Sequence, residues 1–290
     1  IMVGNKTKRP FITNSVRPDT QNIEVRDEYN NIKNFPVTGE LPLTIYVNKK
    51  EVVTLMTLGH YPESLVIGYL RNQGFIDNLS ELESVHVDWD VNSAAVKTIA
   101  PLKDFQNKLT HKVVTSGCGQ GTTFGGVWDD LKNKEITSKK LNQSTIYSLL
   151  KLLHDKNEIY RQSGAVHGCA ICDDKKIIDF IEDVGRHNAV DAIAGNMWLN
   201  DIKSKNKIFY TTGRLTSEMV IKVSQMNIPY LISRSGITEM GLNVAKETGV
   251  TLIGRAKGKH FLVYNGSKNI EFDDKPEPRP ENAPDIWKRR

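Results

Sequence analysis

Apolar residues recur along this chain at two spacings, and the changes between them divide it into elements. From Glu40 the run LPLTIYVNKKEVVTLMTL predicts two strands, Leu43–Val47 and Val52–Met56. They join at Asn48-Lys49-Lys50, where Asn tolerates the left-handed conformation of a tight turn. Pro62 suits the first turn of a helix that continues through Leu65, Ile67, Gly68 and Leu70. Alternation over Val85–Trp89 and Ala94–Ile99 predicts a second hairpin, so the first hundred residues read as a small α+β lobe. Further on, Ile146, Leu149, Leu150, Leu153 and Tyr160 share one face of an amphipathic helix over Asn142–Tyr160, with Ser144 or Thr145 as its cap.

The second half alternates. Ile177–Ile181 has strand length and β-branched content, and after Gly185 the spacing turns helical at Val190, Ile193, Ala194 and Met197. Strands over Lys207–Thr212, Pro229–Ser233 and Val250–Gly254 enclose helices over Thr216–Met226 and Thr238–Thr248, the second stopped by Gly249. Phe261–Tyr264 is a last strand. Such βαβαβ order predicts right-handed crossovers and a largely parallel sheet with helices on its faces. The fold class expected is therefore α/β for the larger domain and α+β for the chain as a whole. Polar sequence with prolines at 10 and 18 predicts a flexible arm over 1–38, followed by the small lobe over 39–112 and the larger domain over 113–266. Prolines at 276, 278, 280 and 284 among charges predict a disordered tail over 267–290.

Composition narrows the class without naming a function. At 290 residues, 39% hydrophobic and 25% charged, the chain is ordinary for a soluble protein, and no apolar run approaches the roughly 20 residues that span a bilayer. The opening IMVGNKTKRPFITNS has no apolar stretch of the kind that directs export. Three cysteines cannot make a disulfide framework, so a reducing cytoplasm is the expected compartment. Much of the net charge of +5 sits at the ends, on Lys6, Lys8, Arg9, Lys288, Arg289 and Arg290, where it carries little weight as evidence for nucleic acid. No interleaving of aromatic and basic residues supports that partner, so none is expected.

Chemistry concentrates in four places. Ser163–Asp191 gathers two thiols, two imidazoles, a run of carboxylates and Arg186, with Arg186, His187 and Asn188 in the first turn of a helix, where free N–H groups attract anions. Within it His167, Cys169 and Cys172 form H-x-C-x-x-C: three zinc ligands where a structural site wants four, a redox pair if placed at a helix start, or simply buried thiols. A base deaminase would need glutamate at the position of Cys169 and a later P-C-x-x-C that is absent. Second, Cys118 lies among five glycines between 117 and 126, a setting that leaves a thiol unshielded. Third, ligands of open sheets bind beyond the carboxyl ends of strands, here Thr211-Thr212-Gly213-Arg214 and Ser233-Arg234-Ser235-Gly236. Each offers N–H groups, hydroxyls and a guanidinium to a phosphate, or else merely caps a helix. Fourth, Arg255-Ala256-Lys257-Gly258-Lys259-His260 is a basic turn able to add charge to the same ligand.

SGCGQG, GAVHGCAICD, EDVGRHNAVD, TTGRLTSEM, IPYLISRSG and IGRAKGKHFLVYNG, in that order, resemble the formate dehydrogenase accessory sulfurtransferases, the FdhD (NarQ) family, from about Glu40 through Gly266. The resemblance implies a cytidine-deaminase-like three-layer α/β domain beside the smaller lobe, and a cytoplasmic homodimer. It also implies transfer of persulfide sulfur from a cysteine desulfurase to the molybdenum or tungsten bis-molybdopterin guanine dinucleotide cofactor of formate dehydrogenase. The cofactor is then a bound substrate, and no permanent metal is expected. Cys118 falls on the family's persulfide position and Arg255–His260 on its cofactor-binding segment; with the strand ends, the expected cofactor-binding set is Arg255, Ala256, Lys257, Gly258, Lys259, His260, Thr212, Gly213, Arg214, Ser233 and Ser235. Many members have C-G-x-C in the loop, whereas Cys118 is followed by Gly119, Gln120 and Gly121. Either Cys118 acts alone, or Cys169 or Cys172 receives sulfur from it; the rival is a chaperone that delivers the cofactor without carrying sulfur.

Overall fold

A computed structural model describes residues 9–102, 105, 136 and 138–277. The chain opens with β1 (Phe11–Ile12), the ribbon β2 (Thr20–Arg26) and β3 (Ile32–Thr38), and the hairpin β4 (Leu41–Val47) and β5 (Lys50–Thr57). Asn48 and Lys49 both take positive φ at its turn, 48° and 70°, the twist that suits a two-residue hairpin. Helix α1 (Pro62–Asn72) and the hairpin β6 (Leu82–Asp88) and β7 (Ser93–Thr98) complete a five-stranded sheet in the order β1-β6-β7-β4-β5.

Residues 9–38 are not a loose arm. Glu63, buried at the start of α1, accepts hydrogen bonds from Thr13 Oγ1 (2.7 Å) and the Ser15 N–H (2.8 Å), which ties the segment to the lobe. β3 reaches the larger domain, where Thr38 and Ser163 share a hydrogen bond between hydroxyls.

Beyond residue 137 come β8 (Leu141–Asn142), α2 (Gln143–Lys156) and α3 (Glu158–Ser163). The single helix expected over Asn142–Tyr160 breaks at Asn157, whose side-chain amide donates back to Leu153 O (2.9 Å), and restarts where the Glu182 carboxylate accepts the N–H groups of Ile159 and Tyr160 (both 3.0 Å). There follow β9 (His167–Cys172), β10 (Ile177–Asp183), α4 (Arg186–Leu199), β11 (Ile208–Thr211), α5 (Ser217–Gln225), β12 (Tyr230–Ser233), α6 (Glu239–Thr248), β13 (Thr251–Lys257), β14 (His260–Asn265) and β15 (Ile270–Glu271). The second sheet runs β10-β9-β11-β12-β13-β14. Only β11, β12 and β13 are mutually parallel, and β9, β10 and β14 pair antiparallel, so the sheet is mixed and not largely parallel. The tail is ordered to residue 277 because β15 pairs with β8 and Asp273 accepts the N–H and hydroxyl of Ser144 (2.9 and 2.6 Å). That distant carboxylate, not a local side chain, caps α2.

α2 covers one face of the second sheet and α4, α5 and α6 the other, giving three layers. The core on the α4 side is continuous with the core of the first lobe: Ile45, Val85 and Val96 belong to the same cluster as Val190, Ile193 and Met197. At the seam α1 crosses α4 with Gly68 against the carbonyl of Asp191 and Gly195 against that of Ser64, so close that a Cβ on either would lie within 2 Å of oxygen (1.6 and 1.9 Å).

Candidate functional site

The predicted strand ends do meet. β11 and β12 are in register, so Thr212-Gly213-Arg214 and Ser233-Arg234-Ser235 emerge side by side, next to the start of β9. Their hydroxyls, however, brace the ridge itself. Ser233 Oγ donates to Gly213 O (2.6 Å) and Ser235 Oγ to Thr212 O (2.8 Å), while Thr212 Oγ1 accepts the Gly168 N–H (3.1 Å). Ser233 is fully buried. A direct role for its hydroxyl in gripping a phosphate is therefore corrected to one of holding adjacent strand ends together; of the six strand-end residues only the two arginines, Arg214 and Arg234, are exposed.

The basic turn has a different neighbour from the one expected. Lys257, Gly258 and Lys259 turn the chain from β13 into β14, with Gly258 at φ +58°, and with Ala256 they line a pocket of about 680 Å³ between the sheet and α2. Its other walls are Tyr147, Lys151 and His154 of α2, Tyr210 of β11 and Arg234. Lys151, Arg234, Lys257 and Lys259 face two carboxylates, Asp155 and Asp274, so the lining is cationic. Lys259 Nζ lies 5.7 Å from the Tyr147 ring centroid. Arg255 parts company with the turn: it takes φ +50° at a bulge, its N–H donates to Ser235 O (2.9 Å), and it is exposed. Of the expected set, then, residues 256–259 share a pocket, while Thr212, Gly213, Ser233 and Ser235 form the ridge beside it and His260 is half-buried at the start of β14. Tyr147, Lys151 and His154 escaped sequence reading, although their spacing of four and three puts them on one helix face. The apolar face of α2 accounts for its periodicity by itself, and nothing in the sequence sets its polar side apart from an ordinary solvated face.

A second, smaller cavity of about 170 Å³ lies on the opposite face of the sheet, at the N-terminus of α4. His167, Arg186, His187, Asp191, Glu218 and Lys222 line it. Asp191 and Lys222 form a buried ion pair (2.7 Å), and Asn72 also donates to Asp191 (2.8 Å). Burial raises the Asp191 carboxyl against the lowering pull of Lys222. His187 Nε2 sits 3.0 Å from Glu218 Oε2 without hydrogen-bond geometry, and burial, helped by Lys222 and Arg186, holds the imidazole well below its ordinary range. Burial, then Arg186 and Arg214, also lower His167.

The thiol cluster dissolves on inspection. β9 is a strand, so residues three apart point to opposite faces. Cys169 belongs to the core under α4 and Cys172 to the core under α2. Both are fully buried, and burial pushes both thiols up to about 12. Neither a shared zinc nor a redox pair survives that geometry, nor does the idea that either takes sulfur from Cys118: a buried thiol of raised pKa is a poor nucleophile. Among the described residues no group of three or more His, Cys, Asp or Glu is disposed to hold a metal, and no helix is long and apolar enough to cross a membrane. Cys118 and its glycines lie outside the described residues.

A three-layer mixed α/β domain with a cationic pocket beside its strand ends is the class to which the chain belongs by structure. By sequence, residues 38–271 match the model of the FdhD/NarQ family, and the chain is a member of it. It is 32% identical over 240 residues to the sulfur carrier protein FdhD of Bacillus pumilus, covering 82% of this chain and 91% of that protein, and 31% identical over 232 residues to that of Bacillus subtilis, covering 80% and 88%. The crystal structure of a candidate formate dehydrogenase accessory protein from Desulfotalea psychrophila superposes with a TM-score of 0.69 at 27% identity, over 87% of this chain and 98% of that one.

Proposed function

We propose that the protein is a sulfur carrier serving formate dehydrogenase, in which Cys118 takes persulfide sulfur from a cysteine desulfurase and delivers it to a molybdenum or tungsten bis-molybdopterin guanine dinucleotide bound as substrate. The observation that carries this reading is the 680 Å³ pocket, large enough for a nucleotide and lined by Lys151, Arg234, Lys257 and Lys259 for phosphates and by two tyrosines for a base. The names of the relatives support the sulfur half. In that half the Cys118 thiolate attacks the terminal sulfur of the donor's persulfide; the new S–S bond forms as the donor cysteine leaves as thiolate, so sulfane sulfur moves without net oxidation. With both other thiols buried, the loop's single cysteine carries the sulfur alone. Cytoplasmic location and a homodimer complete the reading.

A cofactor chaperone that carries no sulfur would use the same pocket, and mass spectrometry separates the two. After incubation with a cysteine desulfurase and cysteine, intact mass should rise by one sulfur atom in the wild type and not in Cys118→Ala. Affinity for a guanine nucleotide should be unchanged in Cys118→Ala and at least tenfold weaker in Lys257→Ala/Arg234→Ala. No sulfur uptake with retained nucleotide binding would leave the chaperone; sulfur uptake that survives Cys118→Ala would defeat the assignment of the thiol.

A further inference from the structure

The small cavity at the start of α4 holds a feature the sulfur-carrier reading does not use. Arg186 is 6% exposed, and among the described residues it forms no ion pair and its buried Nε and Nη2 find no acceptor. A guanidinium is always charged, and a buried one is normally answered by a carboxylate, a carbonyl or a phosphate. Neither of the two carboxylates in the same cavity pairs with the guanidinium: Asp191 is bonded by Lys222 and Asn72, and Glu218 lies beside His187. What the cavity lacks is not countercharge but acceptors within reach of these two donors. Arg186 is also the first residue of a fourteen-residue helix whose N-cap, Gly185, contributes no side chain, and the first turn of that helix, with the positive end of its dipole, lines the same cavity. Gly213 supports the arrangement from the other side. A Cβ built there would lie 2.8 Å from Arg186 Cδ and 3.1 Å from its Cβ, so glycine at 213 is what lets the arginine stem lie flat against the strand-end ridge.

We propose that this cavity binds one small oxyanion, two of whose oxygens are held by the Arg186 fork and the N-terminus of α4. Its volume of about 170 Å³ lies below the roughly 300–1,000 Å³ of sites for drug-sized ligands, so a carboxylate- or phosphate-sized group fits where a nucleotide does not. The site is on the face of the sheet away from the larger pocket, and does not depend on what that pocket takes. His167 and His187 add donors or acceptors but little charge near neutrality, both being held below their usual range. The anion is either free in solution or a terminal group of a larger ligand, and the shared chemistry is the paired oxygens.

The test is thermal unfolding of the full chain in chloride and in inorganic phosphate at matched ionic strength, with formate as a second probe. Wild type should gain a saturable rise in midpoint with either oxyanion, fitting one site. Arg186→Gln should weaken that dependence at least tenfold, and Gly213→Ala should weaken it by displacing the stem. A crossing is expected as well: in chloride Arg186→Gln unfolds no lower than wild type, since it removes two buried donors that lack an acceptor, whereas in saturating phosphate wild type is the more stable. Lys257→Ala, in the other pocket, should leave the phosphate dependence within twofold. An oxyanion shift of equal size in Arg186→Gln, or its loss in Lys257→Ala alone, overturns the proposal. So does an Arg186→Gln that is less stable than wild type in both salts, the mark of a purely structural arginine. If neither free oxyanion shifts the wild type, the proposal is defeated. Should Arg186→Gln fail to fold, Arg186→Lys, which keeps the charge and loses the fork, decides the matter by the same readout.

Discussion

His187 is the residue at which burial and charge can be weighed most directly. Its imidazole is held neutral because taking a cation into the cavity costs solvation and sets it against Lys222 and Arg186, and the nearby Glu218 carboxylate, to which His187 Nε2 makes no hydrogen bond, does not reverse this. A histidine with a folded pKa below its unfolded value, about 6.5, binds fewer protons in the folded state. Its contribution is fully present above that value and is lost as pH falls below it, at up to about 1.4 kcal/mol per pH unit. Urea unfolding at pH 7.5 and pH 5.5 should therefore show a steeper loss of stability in wild type than in His187→Gln; parallel losses would mean the imidazole is protonated in the fold. Sequence alone brought His187 to attention by placing it in the first turn of a helix, but not this behaviour, since Lys222 and Glu218 come from a helix about thirty residues further on. The cysteines teach the same lesson in reverse. Spacing joined Cys169 to Cys172, and the two-residue period of a strand then set them on opposite faces.

At the level of elements, periodicity read the hairpins and the strand–helix alternation well, because each such element buries a face whose pattern is local. It failed where partners are distant. α2 and α3 were read as one helix because Glu182, which restarts the chain after Asn157, is more than twenty residues away. α4 is nearly all buried, including Arg186, Asn188 and Asp191, and one apolar face did not disclose this. The crossing of α1 on α4 explains two glycines that have ordinary helical surroundings in sequence. At Gly195 a methyl group would meet the carbonyl of Ser64, and backbone cannot move aside as a flexible side chain can. Overpacking of a core costs typically about 1–3 kcal/mol, and a clash with backbone belongs at the upper end or beyond. Gly195→Ala should lower unfolding free energy by about 3 kcal/mol in chemical denaturation, against the small gain that alanine gives an unconstrained helix. A loss under about 1 kcal/mol would show that the helices can separate without penalty.

For the whole molecule the question is whether the lobe over 39–112 and the domain beyond it are separate folding units, as their sequence patterns imply. A chain of this length commonly unfolds in stages. Here one apolar cluster runs through both parts, and the seam also carries buried polar contacts that neither part could satisfy alone. Asp183 accepts the Thr57 hydroxyl (2.5 Å) and the Leu58 N–H (3.1 Å), Asn188 donates to Met56 O (2.6 Å), and Asn72 donates to Asp191, already paired with Lys222. Opening the seam would expose the apolar crossing of α1 and α4 and strip Asp183 of two of its partners, each loss costing about 1–3 kcal/mol while the group stays buried. Partial unfolding is thus penalised from both sides. Calorimetry of the full chain should give one transition, with calorimetric and van't Hoff enthalpies in agreement, and hydrogen exchange should protect β4 and β11 to the same free energy. Two resolved transitions, or β4 exchanging at a much lower free energy than β11, would show two domains that merely touch. Asp183→Asn, which weakens the seam without altering either core, should then widen that gap; in a single unit it lowers the one transition and leaves both strands protected alike.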